Sequence, residues 1–210
     1  MLTRRITNVN TRGVIAEILL VVIVWIMLNV SGIMGFFYST VASTFLMVIV
    51  SIRRGWVRSL IRISAKNLLL GFASAVILYI LYYLLWLTVR GSYLFERNVV
   101  GVYNAVAGTG MMPVDILLLA FPISTGFEVF YRGYLQGILA YRVRGLYAIA
   151  LPALLDAALH LVTGNPFFVM ATLLSDVWWG ATMLLTGSLF ASIVSHAVWD
   201  IFIFVVFPLL

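Results

Sequence analysis

Apolar residues along this chain come in long runs separated by short polar or basic stretches. Seven runs stand out, at 14–31, 33–52, 67–88, 114–139, 146–163, 167–186 and 188–209. A helix needs about 20 mainly apolar residues to cross the hydrocarbon core of a bilayer, and each run meets that length. The pattern predicts an all-α polytopic membrane protein, a single transmembrane domain over 1–210 with seven spanning helices. The first run reads as a span and not as a secretory signal. It is too long, it lacks a small-residue cleavage site, and a second apolar run follows at once.

Composition sharpens this picture. Hydrophobic residues make up 64% of the chain and charged residues 10%, against roughly 45–50% and about 25% in soluble domains. A soluble domain, a disordered chain and a nucleic-acid binder are excluded. There is no cysteine, so disulfides, thiolate catalysis and Cys-based metal sites are excluded as well. The net charge of +6 is a topology signal. Arg4, Arg5 and Arg12 precede the first span. Arg53, Arg54, Arg58, Arg62 and Lys66 lie between the second and third, and Arg142 and Arg144 between the fourth and fifth. With seven alternating spans all of these fall on one side, and only Arg90 and Arg97 fall on the other. The positive-inside rule then expects an integral protein of the cell membrane, with its N-terminus cytoplasmic and its C-terminus outside.

Two connections carry further signals. Segment 53–66 interleaves Trp56, Val57, Leu60, Ile61 and Ile63 with basic residues. It reads equally as an amphipathic piece on the membrane surface or as a basic loop. Segment 90–113 holds Gly91, Gly101, Gly108, Gly110 and Pro113 and is expected to be irregular. Gly126, Gly133 and Gly180 are expected to permit close helix approach, and Gly164-Asn165-Pro166 reads as a tight turn.

Ionisable residues at bilayer depth are costly and mark function by default. Glu17 and Asp115 lie near span ends and Glu96 lies in a loop. Glu128, Arg132, Asp156, His160, Asp176, His196 and Asp200 lie well inside the spans. Glu128 and Arg132, Asp156 and His160, and His196 and Asp200 are each four apart, so each pair shares one helix face. Turning the three faces toward a common site between the fourth, fifth and seventh helices is the least costly arrangement. From the basic end, a rise of 1.5 Å per residue puts Glu128 about 17 Å deep, Asp156 about 15 Å and His196 about 12 Å. The site is expected in the cytoplasmic half or near the midplane.

Four buried carboxylates against one arginine cannot all stay ionised without compensation. Protonated carboxylates, charged histidines or a metal cation would each supply it. His160 and His196 with Asp156 and Glu128 are a candidate zinc ligand set. Asp176 matches no motif and is expected to hydrogen-bond Ser175, Thr172 or another helix, and Trp178 and Trp179 are expected to pack.

The order of these residues resembles the CPBP (Abi) family of intramembrane proteases, which includes the CAAX prenyl proteases and bacteriocin-processing proteins. That family carries E-E-x-x-x-R, F-x-x-x-H and H-x-x-x-[N/D]. Here Phe127-Glu128-Val129-Phe130-Tyr131-Arg132, Asp156-Ala157-Ala158-Leu159-His160 and His196-Ala197-Val198-Trp199-Asp200 stand in the same order. The resemblance covers about 114–205. It implies hydrolysis of a peptide bond in a membrane-associated or lipidated, CAAX-like peptide or protein, with the bilayer as the setting. His160 and a carboxylate (Asp156 or Glu128) would hold the water as general base. His196, aided by Asp200, would stabilise the oxyanion, and Arg132 would pair with Glu128. Zinc-activated water is the variant form of that mechanism.

Two positions depart from the family pattern: Phe127 replaces the first glutamate, and Asp156 replaces the phenylalanine before the histidine. One reading is an exchange, with Asp156 supplying the carboxylate and Phe127 the aromatic volume. The other is that Asp156 merely pairs with His160 or Arg132 in a degenerate site. Three functions follow as expectations: an intramembrane endopeptidase, a pseudoprotease that scaffolds a membrane partner, and a transporter. No inverted repeat of the kind many carriers show is visible in the sequence.

Overall fold

In the computed structural model, which describes residues 10–143 and 145–210, every regular element is helical. Arg4, Arg5 and Arg144 lie outside the described residues. Among the described residues seven helices are long and apolar enough to cross a membrane. They are α1 (Thr11–Val30), α2 (Gly35–Ile52), α4 (Ala65–Val89), α6 (Met112–Leu139), α7 (Gly145–Thr163), α8 (Pro166–Thr186) and α9 (Leu189–Val206). Each predicted run is recovered to within a few residues. Two shorter helices join them, α3 (Gly55–Leu60) and α5 (Tyr93–Val106).

Side-chain caps set several of the boundaries. Ser64 accepts from the Asn67 N–H at the start of α4. Asn165 accepts from both Phe167 and Phe168 N–H at the start of α8, with Pro166 in the first turn. Both are ordinary helix-start chemistry. Gly164 ends α7 at φ 65°, so the Gly-Asn-Pro turn forms as its residues imply.

Segment 90–113 departs from expectation. Most of it is α5, whose Phe95, Val99, Val102 and Val106 recur at three- and four-residue spacing, the mark of one helical face. Three of the four glycines flank the helix and do not interrupt it. Segment 53–66 is divided: α3 buries Trp56 and Val57, while Ile63 stays 76% exposed beyond it.

Helix α6 is the centre of the bundle, half buried where α1 and α4 are 17% buried. It is not a regular α-helix. Residues Leu119–Ser124 and Glu128–Gln136 are π-helical. Pro122 sits in the first widened turn and has no N–H to donate. The freed carbonyls find hydroxyls: Ser124 Oγ donates to Leu119 O at 2.6 Å and Thr125 Oγ1 to Ala120 O at 2.9 Å. Such widened turns concentrate at functional positions. A Cβ on Gly126 would stand 2.5 Å from Thr44 Cβ, and one on Gly133 2.9 Å from Leu189 Cδ2, so the backbone of α6 seats directly against α2 and α9.

Polar side chains fasten the other helices, since lipid supplies no hydrophobic force between them. Ser74 of α4 meets Thr182 of α8 at 2.8 Å and Ser195 of α9 at 3.0 Å. Tyr82 of α4 donates to Ala171 O of α8 at 2.8 Å and contacts Ser175 Oγ at 2.9 Å.

Candidate active site

The polar faces of α6, α7, α8 and α9 meet near mid-height of the bundle. Glu128 is fully enclosed. Its Oε1 accepts from His196 Nδ1 at 3.0 Å, and its Oε2 accepts from Ser192 Oγ at 2.5 Å. Arg132, one turn on, brings Nε to 3.6 Å from Glu128 Oε2. Its stronger contacts go to α8, where Nη2 donates at 2.6 Å to both the carbonyl and the carboxylate Oδ1 of Asp176. Arginine was expected to pair with Glu128; it bridges two carboxylates on two helices. Burying three charges is sustainable when each is held by its opposite.

His196 is clamped on three sides. Nδ1 points to Glu128, Nε2 stands 3.3 Å from Asp200 Oδ2, and the ring stacks on Trp179 with centroids 3.5 Å apart and planes 12° off parallel. Ser124 Oγ stands 2.8 Å from the same Asp200 oxygen. A proton on Nδ1 serves Glu128. For Nε2 also to face a carboxylate, either His196 carries both protons or Asp200 carries one.

His160 lies in the last turn of α7, where the helix tightens to a 3-10 turn over His160–Thr163. Its Nδ1 stands 3.0 Å from the carbonyl of Asp156 and 3.4 Å from Asp156 Oδ1. A carbonyl only accepts, so Nδ1 carries the hydrogen and Nε2 keeps its lone pair. Trp25, Phe36 and Phe168 surround the ring at centroid distances of 5.6, 5.7 and 4.9 Å.

All of this borders one cavity of about 400 Å³. Asp156, His160, Asp176, His196 and Asp200 line it, while Glu128 and Arg132 stand behind its wall. Phe127 lines it too, with its ring 6.5 Å from His160 and 6.3 Å from His196. Position 127 therefore lies between the two histidines, and the Asp156 carboxylate lies beside His160 on the neighbouring helix. From mid-height the cavity extends toward the end of the bundle remote from the basic segment 53–66. The sequence had suggested the cytoplasmic half or the midplane, and that suggestion overlooked that His160 stands only three residues from the far end of α7.

Among the described residues no group of three or more His, Asp or Glu side chains converges to hold an ion. Both oxygens of Glu128 and the Nδ1 of His196 are spent on each other and on Ser192, and His160 Nδ1 faces its own helix. Among the described residues His160, His196 and Asp156 line the cavity and Glu128 stands behind its wall, with no three of the four converging on one point.

Residues 109–202 match the type II CAAX prenyl endopeptidase Rce1-like family. That similarity is of the kind a CPBP intramembrane protease would show. The match spans α6 to α9, the four helices that build the site, and stops short of half the chain. No curated protein and no solved structure matches the chain.

Within the Rce1-like segment, four site residues went unassigned from sequence. Ser192 lies four before His196 and Ser124 four before Glu128, so both stood on faces already marked as polar. Trp179 was read as packing; what it packs against is His196. Asp176 bonds to another helix, one of the partners allowed for it. Ser175 instead bonds Tyr82.

Proposed function

We propose that the protein is an intramembrane endopeptidase that cleaves a membrane-anchored peptide with water activated by His160 and Asp156. One observation carries the reading: the main-chain carbonyl of Asp156 holds the Nδ1 of His160, with the Asp156 carboxylate 3.4 Å from the same nitrogen, which turns Nε2 to the cavity as the basic nitrogen. An imidazole oriented at one nitrogen, with a carboxylate close enough to stabilise its charged form, is a recurring hydrolytic arrangement. Water poised at His160 Nε2 attacks the scissile carbonyl carbon while the imidazole takes its proton. The Asp156 carboxylate stabilises the imidazolium that forms. His196 Nδ1 is fixed by Glu128, and its Nε2–H, only loosely engaged by Asp200 at 3.3 Å, is the donor assigned to the developing oxyanion. Collapse breaks the C–N bond, and the proton held on His160 passes to the leaving amine. No step is routed through a metal.

In this reading Asp156 takes over the carboxylate role lost at position 127, and Phe127 fills the space between the histidines. Orientation follows from charge. Arg12, Arg53, Arg54, Arg58, Arg62, Lys66 and Arg142 stand at one end of the bundle, which the positive-inside rule assigns to the cytoplasm. The test is turnover of a prenylated peptide by the purified chain in nanodiscs, with mass-spectrometric detection of the released fragment. Cleavage by wild type and its loss in His160→Ala are expected. Binding of the peptide with no cleavage by wild type would favour the pseudoprotease.

A further inference from the structure

The basic end of the bundle carries more positive charge than its own side chains neutralise. Among the described residues Glu17 is the one carboxylate at that end, and it is spent on Arg54 at 2.6 Å and on the Tyr134 hydroxyl. Arg53, Arg58, Arg62, Lys66 and Arg142 are exposed there and pair with no carboxylate among the described residues. Three of these cations flank a second cavity, of about 210 Å³. Its walls are Trp56 and Leu60 of α3, the last turn of α6, and Met183, Leu184 and Gly187 at the end of α8. Arg58 lies between Trp56 and Leu60, and Arg142 follows the lining Tyr141. Arg62 Nη1 stands 3.5 Å from where a Cβ on Gly187 would be. The backbone that carries Arg62 is fixed beside the cavity, because its carbonyl accepts from Ser188 Oγ at 3.1 Å and from Asn67 Nδ2 at 2.7 Å.

The walls and the rim of this cavity ask for different chemistry. The walls are mainly apolar and accept hydrocarbon. The rim offers guanidinium groups without a counter-charge, whose planar forks match phosphate oxygens. A molecule that carries both, at the depth where spanning helices leave the bilayer, is a lipid. We infer that the cavity binds an anionic phospholipid of the leaflet at the basic end. Its phosphate sits on Arg62, with Arg58 and Arg142 beside it, and the top of an acyl chain lies along Leu184. The floor links this site to the rest of the molecule. Gln136 Nε2 donates to Gly180 O at 2.9 Å and so joins α6 to α8. Gln136 is four residues past Arg132, and Gly180 is four past Asp176. This rung therefore stands one turn from the Arg132–Asp176 contact, between the same two helices. A lipid seated against Gln136 and Met183 stabilises the interface that holds that ion pair, whether or not the chain cuts a peptide.

The test uses the purified full chain, delipidated in detergent. Phosphatidylglycerol and phosphatidylcholine with identical acyl chains are the probes. Binding is counted by native mass spectrometry, and stability is followed as the thermal midpoint. Phosphatidylglycerol is expected to bind about tenfold more tightly than phosphatidylcholine and to raise the midpoint by about 3 °C or more. Arg62→Gln is expected to weaken phosphatidylglycerol about fivefold and to leave phosphatidylcholine unchanged. Only an exposed, unpaired side chain is altered, so its midpoint without lipid should match wild type. Leu184→Trp, which fills the apolar side of the cavity, is expected to weaken phosphatidylglycerol about tenfold. Arg53→Gln removes the same charge at the same end, but neither of its chain neighbours lines the cavity. It is expected to weaken binding by less than about twofold. Equal losses in Arg53→Gln and Arg62→Gln would mean diffuse attraction to a basic surface and overturn the site. Equal affinity for the two lipids overturns it as well. Glycerol 3-phosphate that binds as tightly as the lipid would make the occupant a soluble anion and overturn the lipid assignment.

Discussion

Asp176 is the principal partner of Arg132. The guanidinium Nη2 stands 2.6 Å from the Asp176 carboxylate, while Nε stands 3.6 Å from Glu128. Helix α8 thus holds the arginine that steadies the glutamate of α6. Asp176→Asn removes the nearer counter-charge from a fully enclosed cation. It is expected to cost about 3–5 kcal/mol of stability, seen as a lowered thermal midpoint in detergent. Adding Arg132→Met to that variant should restore part of the loss, because the orphaned charge goes with it. A double variant no more stable than the single one would contradict the pairing.

Asp156→Asn tests the His160 side of the site. Loss of the carboxylate beside Nδ1 is expected to lower kcat by about 100- to 10,000-fold, with KM little changed, since the residue is placed to act on the reacting proton and not on binding. The Phe127→Glu/Asp156→Phe double variant returns the carboxylate to the position the family uses. It should turn over faster than Asp156→Phe alone; equal rates would end the exchange reading.

Ser192→Ala removes one of the two hydrogen bonds that hold Glu128 outside its arginine contact. A bond to a buried charged group contributes about 1–3 kcal/mol. The expected result is a lowered unfolding midpoint with the prenylated-peptide affinity intact. An unchanged midpoint would mean that Ser192 is idle.

Chelation supplies a further check. Because no three donors converge among the described residues, dialysis against a strong chelator is expected to leave cleavage at its starting rate and metal analysis to find no stoichiometric zinc. Activity lost to the chelator and restored by zinc alone would contradict the donor geometry.

Much of this was legible in the sequence. The seven spans followed from run length, and the pairing of Glu128, Asp156 and His196 with residues four places on followed from helical spacing. What spacing could not supply was the partner across a helix interface. Asp176 carried no motif, and only the packing of α8 on α6 aims it at Arg132. Helix α6 hid its widened turns because Pro122 and the three glycines Gly126, Gly133 and Gly137 are compatible with an ordinary kinked span. Helix α5 was obscured because glycines were counted without regard to where they fall relative to its apolar face.

The parallel stack of His196 on Trp179 has an optical consequence. A charged imidazole 3.5 Å above an indole is both favoured by the ring's negative face and an effective quencher of its emission. In a variant with the other five tryptophans replaced by phenylalanine, Trp179 would report the protonation of His196 as brightness. Filling the cavity, or moving a proton along the line from Ser124 through Asp200 to Glu128, would then register as a change in intensity before any bond is cut. The site carries its own lamp.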